Sequence, residues 1–220
     1  MADKSLLEPH GFGDSVLWRL APTGLVVLPD EVPVTTGGPP ATVRRVWNTF
    51  GPAIVAASDE YKVPFELIIA TICTESRGNP VAERAEPGFV DYDTTPHRVS
   101  IGLMQTLIST ARDAMKGKVK ATAIDPDWLR VPANSIRAGT AYIASQKKAT
   151  GFDPPKVACA YNAGGLHPNQ GAGNRWKMRQ FPIGTGAHAD RFVAWFNDCF
   201  VAFDDLAALP AQSLIRIAQG

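Results

Sequence analysis

The chain has 220 residues, of which 45% are hydrophobic and 20% charged, and its formal net charge is +1. That balance suits a globular protein of one average to large domain plus an extension, and it offers no global field for nucleic acid. No stretch approaches the ~20 apolar residues of a membrane span, and neither Cys73, Cys159 and Cys199 nor His10, His97, His167 and His188 fall at metal-ligand spacing, so no metal or cofactor is expected.

Residues 1–40 are rich in Pro and Gly, with the turn-like pairs Gly37-Gly38 and Pro39-Pro40, and read as an irregular N-terminal extension. Leu17, Trp18, Leu20 and the run Leu25 to Leu28 are too apolar for a free linker, so this segment is expected to strap onto the folded domain. Asp3, Glu8 and Asp14 precede any apolar run, and Arg19 and Pro22 interrupt the next one, which is not the pattern of a signal peptide. From Thr42 onward Val43, Val46, Phe50, Ile54, Ala57 and Tyr61 recur at helical spacing, predicting a helix that Gly51-Pro52 kinks or splits. A second helix is predicted over Phe65 to Arg77, with Pro64 at its first turn and Gly78 just past its end. Residues 78–99, with Pro80, Pro87, Gly88 and Pro96, read as a long loop carrying Glu83, Glu86, Asp91 and Asp93.

Ile101 to Met115, Ser135 to Thr150 and Val157 to Asn162 read as further helices, the last ended by Gly164-Gly165. After a Gly-rich polar stretch over 165–188, Phe192, Trp195, Phe196, Cys199 and Phe203 form a final helical stripe. The cysteines read as buried thiols; a Cys159–His167 nucleophile pair is the rival, but Cys159 lies in an apolar run that suits an inert core thiol. The basic clusters Lys116, Lys118, Lys120 and Arg175, Lys177, Arg179 read as solvated faces, though either would suit contact with a polyanionic wall. Strand-type alternation is nearly absent, so the fold class is mainly α with any β-sheet small. The domain limits expected are 1–40 for the extension, 41–205 for the helical domain and 206–220 for a C-terminal tail.

One residue breaks the apolar pattern in an informative way. On the predicted helix Ile68, Ile72 and Glu75 share a face at spacings of four and three, so the carboxyl continues an apolar stripe. It also sits near the helix C-terminus, where the macrodipole disfavours negative charge, and partial burial disfavours it too. Both effects raise its pKa. A carboxylic acid that keeps its proton near neutral pH can protonate a leaving oxygen, as breaking a glycosidic bond requires.

Around Glu75 stand three more motifs in order: Ser100 to Gln105 (SIGLMQ) followed by TLISTA over 106–111, Asn134 to Ile143 with Asn134, Gly139 and Tyr142 at fixed offsets, and Ala160 to Gly164 (AYNAG). With the ES-x-x-NP segment at 75–80, this set resembles the catalytic domain shared by soluble lytic transglycosylases and goose-type lysozymes over about residues 45–200. The resemblance implies a lysozyme-like α fold with a sugar groove that cleaves the β-1,4 bond between N-acetylmuramic acid and N-acetylglucosamine in peptidoglycan. Carried over residue by residue, it makes Glu75 the acid/base and has Ser76 support it or the sugar. Gly102 and Gln105 line the groove beside the scissile bond, and Tyr142, Tyr161 and Asn162 contact the catalytic carboxyl or the sugars. These residue types fit such roles: Gly102 allows backbone to come close to a ligand, Gln105 offers both donor and acceptor, and Tyr161 presents a ring and a hydroxyl together.

Two chemistries share that donor. An inverting hydrolase needs a second carboxylate across the sugar to activate water, whereas a lytic transglycosylase uses one carboxyl first as acid and then as base, so that the sugar's own 6-hydroxyl closes a 1,6-anhydro ring. TLISTA resembles the transglycosylase branch and lacks the Asp that goose-type lysozymes carry just after GLMQ. The long loop before Gly102 nevertheless holds Asp91 and Asp93 as possible second carboxylates. The expectation is therefore a transglycosylase acting as a monomer on glycan strands, with lysozyme-type hydrolysis as the alternative. A non-catalytic wall-binding protein is the rival from another class. Without a recognisable export signal, the expected setting is synthesis in the cytoplasm and action on the bacterial wall as a phage endolysin released through a holin, or as part of a virion.

Overall fold

The computed structural model describes residues 4–203, 205 and 208–220. Within the stretch read as irregular, Trp18–Ala21 (β1) and Gly24–Val27 (β2) pair antiparallel, with Trp18 opposite Val27 and Ala21 opposite Gly24. The hairpin escapes a search for alternation because nearly every residue in it is buried, which produces a continuous apolar run instead. Polar side chains of the helical domain fasten it. Asn197 accepts a hydrogen bond from the Leu25 N–H (2.7 Å) and donates to the carbonyls of Leu25 (3.0 Å) and Val34 (2.9 Å). Asp153, itself buried, accepts from the Trp18 indole at 2.9 Å and pairs with His10 and Lys156, each at 3.0 Å.

The helical domain begins with Ala41–Tyr61 (α1), which runs unbroken through Gly51-Pro52 and buries Val43, Val46, Ile54 and Ala57. Its stripe is therefore the one expected, without the split. Phe65–Glu75 (α2) follows, with every residue from Phe65 to Thr74 buried. The helix ends two residues earlier than Arg77, because Arg77 and Gly78 take left-handed backbone (φ 52° and 81°) and turn the chain away. Glu75 thereby becomes its last residue.

The next segment corrects a prediction. The helix expected to start at Ile101 starts at Ile108, because residues 99–107 form a small sheet instead. Glu83–Ala85 (β3), Val99–Ile101 (β4) and Thr106–Leu107 (β5) pair antiparallel in that order, with Ile101 opposite Thr106. The turn between β4 and β5 holds Gly102 at φ 80° and Gln105 at φ 46°, neither compatible with a helix. Ile108–Ala114 (α3), Pro126–Arg130 (α4), Pro132–Ser145 (α5), Lys147–Thr150 (α6), Pro154–Ala163 (α7) and Ala187–Ala202 (α8) complete the domain. Leu214–Gln219 (α9) docks through Ser213, whose hydroxyl donates to the buried Glu66 carboxyl at 2.5 Å, where the Ile215 N–H also donates at 3.0 Å. The fold is thus mainly α with small sheets, and α2 is its buried axis, lying against α1 and α8.

Candidate active site

A groove of about 760 Å³ opens where α2 ends. Its walls come from Thr74 and Glu75 of α2, Arg84 and Glu86, Ser100, Gln105, Thr106 and Leu107 around the β4–β5 turn, Thr110 of α3, Tyr142 of α5, Tyr161 and Asn162 of α7, Phe181 and Pro182, and His188 and Arg191 of α8. Of the residues singled out from sequence, Glu75, Gln105, Tyr142, Tyr161 and Asn162 meet in this groove, while Ser76, Gly102, Asp91 and Asp93 are not part of its lining.

Three of the motifs converge on two residues of the fourth, Leu103 and Met104. Ser76 donates from its hydroxyl to the Leu103 carbonyl at 2.6 Å. From α5, Ser135 Oγ accepts from the Met104 N–H at 3.2 Å, and a Cβ on Gly139 would lie only 2.5 Å from the Met104 sulfur. From α7, the Tyr161 hydroxyl donates to the Met104 carbonyl at 2.8 Å, so the 3.0 Å bond to Thr106 has the threonine as donor. The close approach that Gly102 permits is likewise to protein: a Cβ there would stand 2.2 Å from the Leu129 carbonyl oxygen and 2.8 Å from Ser135 Oγ. Much of the motif pattern therefore holds the turn that, with Glu75, lines the groove.

Gln105 commits its amide nitrogen to the carbonyls of Ala82 (2.8 Å) and Gly102 (3.0 Å), which leaves its amide oxygen for a ligand. Asn162 is used the other way round, accepting from the Phe181 N–H at 2.6 Å and keeping its amide nitrogen. Tyr142 lies with its ring 5.2 Å from that of Tyr161, and burial raises the pKa of both hydroxyls, so both stay protonated.

Glu75 has a side chain only 12% exposed, and burial pushes its carboxyl up to about 7 against the opposing pull of Arg84 and Arg191. The helix C-terminus works in the same direction. Asp91 is different in kind: it is exposed, accepts from the Asp93 and Thr94 N–H groups at 3.0 and 2.6 Å and from the Thr94 hydroxyl at 2.9 Å, and those bonds lower its pKa. Asp93 is exposed on the same loop. The second carboxylate in the groove is Glu86, held in an ion pair by Arg84 at 2.8 Å. Burial pushes the Cys159 thiol up to about 12, as befits an inert core thiol.

Sequence reasoning missed His188 and Arg191, as well as the placing of Arg84 and Glu86. His188 carries the same signal that exposes Glu75, since it stands four residues before Phe192 and extends that apolar stripe with a polar side chain. Arg84 and Glu86 reach the groove through the β3–β4 pairing, which has no local sequence signature in so short a strand.

Comparison with known proteins places the chain among relatives. The family model described as Transglycosylase SLT domain matches residues 52–180. The membrane-bound lytic murein transglycosylase C of Klebsiella pneumoniae subsp. pneumoniae is 34% identical over 116 residues, 49% of this chain and 29% of that protein. Its namesake from Yersinia enterocolitica is 35% identical over 94 residues, 42% of this chain and 23% of that protein. The chain thus spans less than a third of the length of these curated relatives. Among solved structures, an inactive mutant of the lytic transglycosylase Slt from Pseudomonas aeruginosa shares the fold with a TM-score of 0.51 at 19% identity, over 72% of this chain and 25% of that one.

Proposed function

Since this chain belongs to the family of transglycosylase SLT domains, we propose that it is a peptidoglycan lytic transglycosylase. In this reading it cleaves the β-1,4 bond between N-acetylmuramic acid and N-acetylglucosamine with Glu75 as its sole acid/base. The observation that carries the proposal is the Glu75 carboxyl, pushed up to about 7 at the end of α2, in a groove large enough for sugars whose other carboxylate, Glu86, is paired with Arg84. Protonated Glu75 gives its proton to the glycosidic oxygen as the bond from C1 breaks. The carboxylate then takes the proton of the 6-hydroxyl as that oxygen bonds to C1, and the product is a 1,6-anhydro ring. Glu75 ends protonated, as it began. Tyr142, Asn162 and the Gln105 amide oxygen contact the sugars, while Ser76, Gly102 and Tyr161 keep the β4–β5 turn in place.

The exposure of Asp91 and Asp93 on a loop outside the groove supports the route without a separate base. A glutamate-to-glutamine change is the mutation in the inactive Pseudomonas aeruginosa Slt structure, which fits a glutamate at the centre of the chemistry. One observation favours a second reading: Glu86 does line the groove, and freed from Arg84 it has the charge to activate water. Mass analysis of the products separates the two. Anhydro ends, lighter by one water, are expected from the wild type and from Asp91→Asn, Asp93→Asn and Glu86→Gln alike. Reducing ends, lost in one of those variants, would make that carboxylate the base of a hydrolase.

Among the described residues no helix is long and apolar enough to cross a membrane. A monomer acting on glycan strands, reaching the wall through a holin or in a virion, completes the proposal. Lysis by cells expressing the protein with and without a holin tests that setting.

A further inference from the structure

Among the described residues the Glu75 carboxyl has no hydrogen bond to protein, but the His188 ring faces it, with Nε2 3.6 Å from Oε1. The other ring nitrogen, Nδ1, lies 3.3 Å from Nη2 of Arg191. A guanidinium has only donors and does not give up its charge in proteins. Nδ1 must therefore be the acceptor, and the one proton of the neutral ring is forced onto Nε2, the nitrogen aimed at Glu75. We propose that His188 is a positioning residue for the acid/base, locked by Arg191 as the Nε2–H tautomer so that its N–H steadies the Glu75 carboxylate once the proton has left.

The proposal rests on Glu75 being the acid/base. Burial, with Arg191 and Arg84 adding to it, holds His188 down to about 3, so the ring is neutral at any working pH and is not half of an ion pair. The gap of 3.6 Å lies just beyond direct hydrogen-bond range, and catalytic contacts of this kind shorten when substrate is bound. The titratable and charged groups facing Glu75 are Arg84 of β3, Glu86 just after it, Tyr142 of α5, Tyr161 of α7, and His188 and Arg191 of α8. The arginines act on it through space, Tyr161 spends its proton on Met104, and Glu86 is paired with Arg84. A neutral N–H suits a carboxyl that must lose its proton and take another within one turnover, because it favours the anion without fixing it as a buried cation would.

The test needs no turnover, so it stands apart from whether the products are anhydro sugars. In the full chain labelled with 15N-histidine, His188 Nδ1 should show the shift of an unprotonated ring nitrogen and Nε2 that of a protonated one, unchanged across the neutral range. In Arg191→Met the second tautomer should appear. With 13C-labelled glutamate, His188→Phe should raise the Glu75 titration midpoint by about one pH unit. His188→Gln, whose amide N–H takes the place of Nε2–H, should bring it back. A protonated Nδ1 in the wild type, or a Glu75 midpoint that does not move in His188→Phe, would overturn the proposal.

Discussion

Glu75 concentrates three effects in one side chain: a helix end, a buried position and an open groove. Burial pushes its carboxyl up to about 7 from the ordinary value of 4.5. Stability linked to it is therefore fully present below pH 4.5 and is lost as pH rises through about 7, since the folded state must then hold a buried charge. The loss amounts to roughly 3 kcal/mol at most. Glu75→Gln removes that dependence, so its melting temperature relative to the wild type should climb between pH 4.5 and 7, as thermal scans in a pH series will show. The same titration predicts that activity of the wild type on purified peptidoglycan declines as pH rises through about 7, because the first step needs the protonated form. A melting difference that stays flat with pH would mean that the carboxyl is ionised throughout.

At the scale of elements, the β4–β5 turn is what brings the motifs together. Gly102→Ala would place a methyl 2.2 Å from the Leu129 carbonyl at a backbone φ of 80°, so both the contact and the conformation are refused. The substitution should cost about 3 kcal/mol or more, visible as a lowered chemical-denaturation midpoint, and should reduce activity by displacing Gln105. Motif and element were legible in the sequence to different degrees. α1, α2 and α8 announce themselves through long apolar stripes, and Glu75 shows as a polar residue that continues one. The turn does not, because Ile101, Leu103, Met104 and Ile108 have spacings that also suit a helix, and only the left-handed backbone at Gly102 and Gln105 excludes it. The roles of Ser76 and Tyr161 were hidden for a related reason. Their hydroxyls bond to backbone carbonyls of the turn, at 2.6 and 2.8 Å, partners that no side-chain pattern can reveal.

For the molecule as a whole, the helical domain uses the N-terminal hairpin as part of its core. Trp18, Leu20, Leu25 and Val26 are buried, and Asn197 satisfies backbone groups of Leu25 and Val34 at the back of α8, the helix that also carries His188 and Arg191. Asn197→Ala would strand those groups at about 1–3 kcal/mol apiece where they stay buried, and should lower the melting temperature while leaving the Glu75 midpoint in place. Deleting residues 1–40 should lower the melting temperature or soluble yield further. A truncated chain that melts like the full one, yet no longer binds wall, would make the extension a targeting arm. Whether one carboxyl serves as both acid and base is decided by digesting purified peptidoglycan with wild type and folded Glu75→Gln side by side and weighing the released muropeptides. The wild type should release 1,6-anhydro ends, and the mutant should release them at least about 100-fold more slowly; release at the wild-type rate by Glu75→Gln would rule Glu75 out as that carboxyl.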